Sequence, residues 1–185
     1  MKKYTTLEMQ RLTVEEYRKA EKLPLTIVLD NVRSLHNVGS VFRSADTFRA
    51  ERLCLCGITA CPPMPEIHKT ALGAEDSVDW KHYASATECV EELHRQGYVI
   101  FAVEQCHGSM MLNEFNIKDF IAEQGKPVDT PIAVILGNEV HGVTQEAIDM
   151  CDGCLEIPQL GTKHSLNVSV TAGIIIWEFA RQMIL

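Results

Sequence analysis

Three short segments of this chain hold the residues best suited to chemistry. The first runs Asp30-Asn31-Val32-Arg33-Ser34-Leu35-His36-Asn37-Val38-Gly39-Ser40-Val41-Phe42-Arg43, where Asn37 is placed to cap a helix that carries Arg43. Free N–H groups at a helix start and a guanidinium close by suit a phosphate. Val41, Phe42, Ala45 and Phe48 recur at helical spacing as an apolar stripe, which leaves Gly39 and Arg43 on another face, a shallow notch beneath a cation. A plainer reading stays open: Arg43 pairs with Asp46, and Gly39 serves helix packing.

The second segment, Leu136-Gly137-Asn138-Glu139-Val140-His141-Gly142-Val143, places glycines at both ends of a polar turn, so that backbone amides can approach a small ligand. An ordinary strand-to-helix connection, with Glu139 near a helix start, would look the same. The segment is neither a dinucleotide fingerprint nor a phosphate loop ending in Gly-Lys-Ser/Thr. The third, Ile157-Pro158-Gln159-Leu160-Gly161-Thr162-Lys163-His164-Ser165-Leu166-Asn167-Val168-Ser169, enters a helix whose Ile174-Ile175-Ile176-Trp177 run demands burial. Ser165, Asn167 and Ser169 need hydrogen-bond partners there, which a ligand or their own backbone could supply.

The elements that must position these segments alternate. Apolar, β-branched runs at 25–30, 52–57, 98–103, 131–136 and 154–157 read as strands buried on both faces. Helical patterns cover 13–22, 37–49, 87–96, 144–150 and 165–184, the first opened by a Thr13–Glu16 capping box and closed by Pro24. Strand–helix alternation predicts an α/β domain with a mostly parallel sheet flanked by helices. Ligands of such sheets sit beyond the carboxyl ends of the strands, which points to the loops after Asp30, Val103, Leu136 and Ile157.

With 185 residues, 46% hydrophobic and 23% charged, the chain has the makings of one globular core, and no apolar run is long enough to span a membrane. The N-terminus lacks the apolar stretch of a secretion signal, so a cytoplasmic protein is expected. Seven cysteines make an odd number and read as reduced thiols. Cys54, Cys56 and Cys61, with Cys151 and Cys154, approach zinc spacing, but three of them fall in strands and no metal is expected. A net charge of −8 argues against coating nucleic acid by bulk attraction. The first 52 residues nevertheless hold ten of the seventeen Lys and Arg against seven acids, so a polyanion should meet that third of the chain.

In order and at strand ends, these segments resemble the SpoU/TrmH-type ribose methyltransferases of the SPOUT class. The resemblance covers roughly residues 25–184 and rests on Asn37-Val38-Gly39 with Arg43, Leu136-Gly137-Asn138-Glu139 with Gly142, and Ile157-Pro158 with Gly161 and Ser165-Leu166-Asn167-Val168-Ser169. Gln159 stands where the family usually has Met, and Val140 where a small residue is usual. The resemblance implies residues 25–185 as a SPOUT domain with a C-terminal trefoil knot behind an extension of residues 1–24. It also implies S-adenosyl-L-methionine as cofactor, a homodimer, and transfer of methyl to a ribose 2′-hydroxyl of tRNA or rRNA.

The same resemblance assigns roles. Arg43, Asn37, Glu139, Ser165 and Asn167 form the catalytic set; the family proposal has Arg43 activate the hydroxyl, but a guanidinium is a poor base, so we read Arg43 as orienting the ribose and its phosphate, with the proton passing to that phosphate or to a carboxylate such as Glu139. Val103, Leu136, Gly137, Asn138, Gly142, Ile157, Pro158, Gly161, Ser165, Leu166 and Asn167 would hold the cofactor. Arg11, Arg18, Arg33, Arg43 and Lys69 would contact RNA, with Lys19, Lys22, Arg49 and Arg52 as further candidates, although Lys19 and Lys22, among alternating Glu residues, read better as a solvated helix face. Residues 68–74 are either an RNA-facing loop or a plain helix end. An RNA-binding module without turnover, on the same scaffold, is the alternative; intact Arg43 and Asn167 weigh against it.

Overall fold

A computed structural model describes residues 1–5 and 8–185. Among these, seven strands form one sheet in which every pairing is parallel: β1 (Leu23–Asp30), β2 (Ala50–Cys56), β3 (Asp79–Tyr83), β4 (Val99–Val103), β5 (Met110–Met111), β6 (Ile132–Leu136) and β7 (Gly153–Glu156), in the order β3-β2-β1-β6-β4-β7-β5. The central strands are mostly apolar because both faces are covered, with Thr26 and Asp30 of β1 as buried polar exceptions. Leu25, Ile27, Leu29, Phe101 and Val134 enter one core, and Val28, Cys54, Ile100, Ala102 and Ile135 the other.

The first core is closed by α2 (Leu35–Thr47), α3 (Pro65–Ala71), α6 (Ile117–Glu123) and α8 (Val168–Met183); the second by α5 (Ala86–Arg95) and α7 (Gln145–Asp149). The short α4 (Ala74–Ser77) and α1 (Val14–Lys19) pack together beside α2, and Tyr17 of α1 is buried in the first core. Thr13 and Glu16 make the expected capping box, but the helix ends at Lys19 and Pro24 lies inside β1. The stretch 165–167, expected as helix, is loop: Asn167 caps α8 by accepting from Ser169 N–H, so helical geometry starts at Val168. None of the described helices is long and apolar enough to cross a membrane. The described cysteines are free thiols, and Cys54, Cys56 and Cys154 are buried in strands.

The sheet order dictates how the site closes. From β7, next to β4, residues 157–167 pass back over the carboxyl ends of β4 and β6 to reach α8, which packs against β1, β6 and α2. The second and third segments therefore face each other across those strand ends.

Candidate active site

Between them lies a cavity of about 530 Å³ at the ends of β4, β6 and β7, within the range of small-molecule and cofactor sites. Its walls include Val103, Leu136, Gly137, Asn138, Gly142, Ile157, Ser165, Leu166 and Asn167, together with Glu139, Gln159 and His164. Pro158 and Gly161 lie outside those walls. Among the described residues the lining carries three carboxylates (Glu104, Glu139 and Glu156) and no Lys or Arg, so the cavity favours a cationic guest.

The turn at 137–142 is held by its own atoms. Asn138 N–H donates to the Gly142 carbonyl and Gly142 N–H to the Asn138 carbonyl, both at 2.9 Å. The Asn138 side chain donates to the Asn31 carbonyl at 2.7 Å and accepts from Val140 and His141 N–H, so it builds the loop and has little left for a ligand. A Cβ on Gly137 would overlap the backbone of Gly142 and Val143, and Gly142 has φ +70, so both positions require glycine.

Two wall residues carried no signal in the sequence reading. Glu104 accepts from Val143 N–H at 3.1 Å and from Gln105 N–H at 2.9 Å, while Gln105 Nε2 donates to the His164 carbonyl at 2.7 Å. This adjacent pair after β4 thus ties down both cofactor-side loops. Their only signal was position: they follow Val103, at a strand end the sheet rule had already marked.

The first segment joins through Glu139. Its carboxylate accepts from Arg33 N–H (3.1 Å), Ser34 N–H (3.2 Å) and Asn37 Nδ2 (3.0 Å). Partial burial pushes its pKa up, but the hydrogen bonds from Arg33, Asn37 and Ser34 outweigh this and the net direction is down. A carboxylate so occupied is a poor proton acceptor. Asn167 Nδ2 in turn donates to Asn37 Oδ1 at 3.2 Å, so Glu139, Asn37 and Asn167 form one chain across the three segments. Asn37 is not the cap of α2: Ser34 is, accepting from Asn37 N–H at 3.3 Å, which leaves the Asn37 side chain for this bridge.

Arg43 stands elsewhere within the chain. It lies six residues beyond Asn37, about 9 Å further along the axis at the α-helical rise, and lines a second cleft with Ser40, Ser44, Thr47, Lys69 and Thr70. The Asp46 pairing is not made; among the described residues Arg43 has no ion pair. At Gly39 the packing reading holds and the notch is filled, because α3 lies against it: a Cβ there would overlap Thr70 Oγ1 and the Ile67 carbonyl.

The remaining candidate cations divide. The side chains of Arg11, Arg33 and Lys69 are exposed and bond to none of the described residues. Arg18 is exposed but donates to the Asp76 carbonyl at 2.8 Å. Lys22 sits over the Tyr17 ring at 3.4 Å, and Arg52 is spent on Gln96 and Tyr98, so packing explains both.

The description of the SpoU rRNA Methylase family matches residues 24–177. A tRNA (guanosine(18)-2′-O)-methyltransferase of Thermus thermophilus is 30% identical over 177 residues, covering 95% of this chain and 84% of that enzyme. The 23S rRNA (guanosine-2′-O-)-methyltransferase RlmB of Coxiella burnetii is 29% identical, covering 89% of this chain and 61% of that protein. In fold, the chain is similar to an AdoMet-bound rRNA methyltransferase from Sinorhizobium meliloti, with a TM-score of 0.76 and 24% identity over 91% of this chain and 60% of that one.

Proposed function

This chain belongs to the SpoU rRNA methylase family, and from that premise we propose that it uses S-adenosyl-L-methionine to methylate a ribose 2′-hydroxyl in structured tRNA or rRNA. The observation that carries the reading is the convergence of three segments on one cavity through the Glu139–Asn37–Asn167 chain, the first segment lying more than a hundred residues before the other two. When bound, the cofactor supplies an activated methyl on a sulfonium. The residues fit it: carboxylates without opposing cations suit its positive charge, and Val103, Leu136, Ile157 and Leu166 give apolar contact.

The protein's own task is alignment. A 2′-hydroxyl must approach the methyl in line, which positioned residues achieve by removing orientational freedom. Arg43, always protonated, orients the ribose and its phosphate and is not a base. Glu139 holds the start of α2 against the cofactor loop; with its oxygens occupied, the proton leaves to the substrate phosphate. Asn167 and Ser165 line the cavity, and Asn37, outside that lining, holds Asn167 and Glu139 in place beside the nucleotide.

One chain does not complete this arrangement, since Arg43 is not a cavity wall. We read the enzyme as a homodimer in which Arg43 of the partner subunit faces the cavity. Support comes from α8, where Val170 and Trp177 are exposed and Ile174 partly so, at spacings of four and three residues, with Phe48 against Trp177 at 5.8 Å. The knot is carried over from the family resemblance and the likeness in fold, and the cytoplasm is where such RNA is met. Calorimetry with S-adenosyl-L-methionine, followed by methyl transfer into RNA, tests the reading. Binding with transfer is expected; binding without transfer would leave an RNA-binding module, and no binding would end the proposal.

A further inference from the structure

The cleft that holds Arg43 has about 400 Å³ of space and is distinct from the cofactor cavity. Its floor is a run on α2: Ser40, Arg43, Ser44 and Thr47 follow at i, i+3, i+4 and i+7, one face of the helix. Lys69 and Thr70 of α3 form the opposite bank, brought close because Gly39 has no side chain to separate the helices. Arg43 and Lys69 are exposed, and the lining includes no carboxylate among the described residues. In a chain of net charge −8 that is a local reversal.

The hydroxyls add a second, independent pattern. Ser40 Oγ donates to the His36 carbonyl (2.8 Å), Ser44 Oγ to that of Ser40 (3.1 Å), Thr47 Oγ1 to that of Arg43 (2.9 Å) and Thr70 Oγ1 to that of His36 (2.9 Å). Each hydroxyl has one proton, and here each is already committed to the backbone, so what remains toward the cleft is acceptor capacity. The cleft therefore offers donors only at its two cations and acceptors along its floor. A bare phosphate ion satisfies the first and opposes the second. A ribonucleotide strand satisfies both, with phosphate oxygens for the cations and 2′-hydroxyl protons for the floor.

We propose that this cleft seats the sugar–phosphate strand flanking the methylated nucleotide, with Lys69 as a phosphate contact and Ser40, Ser44 and Thr47 as readers of neighbouring ribose hydroxyls. The inference rests on the methyltransferase reading, in which Arg43, one of the residues of this cleft, meets the target ribose. It adds to that reading a reason for ribonucleotide preference outside the reacting sugar, and a role for Lys69.

Binding of a 12-residue oligouridylate and of its deoxy counterpart, at several salt concentrations, tests it without turnover. Wild type is expected to prefer the ribo form. Lys69→Ala should weaken both about fivefold and flatten the salt dependence by about 0.7, the single-strand share of one phosphate contact. Lys69→Arg should restore most of that loss. Ser44→Ala with Ser40→Ala should narrow the ribo-to-deoxy ratio and spare the salt slope, and inorganic phosphate should compete only weakly. An unchanged slope in Lys69→Ala, an unchanged ratio in the serine variant, or equal competition by phosphate would overturn the proposal; melting temperatures near wild type certify folding. The underlying reading fails separately, through absence of methyl transfer by wild type.

Discussion

Glu139 shows what a residue's type and position leave unsaid. Its place after Gly137 was legible, and so was its suitability for proton transfer. Its partners were not, because Arg33, Ser34 and Asn37 precede it by 102 to 106 residues and only the fold brings them within 3.2 Å. Once they are present, the carboxylate becomes a brace. Its pKa is lowered in the folded state, so its contribution is complete above the ordinary carboxylate value and is lost as pH falls through the lowered one. Glu139→Gln should therefore cost roughly 1 kcal/mol in urea unfolding at pH 7, and the difference from wild type should shrink toward zero below about pH 4. At Arg43 the loss is chemical. Arg43→Ala should cut methyl transfer by about two orders of magnitude while calorimetry finds cofactor affinity nearly unchanged.

Among elements, those with an apolar run or a strong helical period could be read from the chain, and the quieter ones could not. β3 is an edge strand whose Trp80, Lys81 and His82 are exposed, and β5 has two residues, so neither carries a buried-strand pattern. The helices α3, α4 and α6 have four to seven residues; α1 and α7 are as short, but α1 is announced by its capping box, whereas Met64 and Gly73, which precede α3 and α4, make no side-chain cap. Of α3 only its end was legible, as one alternative for residues 68–74, so Gly39 stood equally as an open notch or a packing point, and the cleft with Lys69 could not be seen. The helix contact gives its own test. Gly39→Ala must push α3 away from α2, which should destabilise the fold by about 1–3 kcal/mol in denaturant titration and weaken RNA binding more than cofactor binding.

At the scale of the whole molecule, the charges are sorted. Carboxylates line the cavity at the strand ends, cations line the cleft on α2 and α3, and in the proposed dimer one subunit's cleft meets the other's cavity. Trp177→Glu places a charge on the exposed face of α8, so sedimentation should find a monomer that still binds cofactor and no longer transfers methyl.

The central claim concerns where the methyl goes. RNA from cells lacking this enzyme, incubated with the protein and methyl-labelled S-adenosyl-L-methionine, can be hydrolysed in alkali, which cleaves only beside a free 2′-hydroxyl. The account predicts label in alkali-resistant dinucleotides; label recovered in mononucleotides carrying a methylated base, or no label in RNA at all, would contradict it.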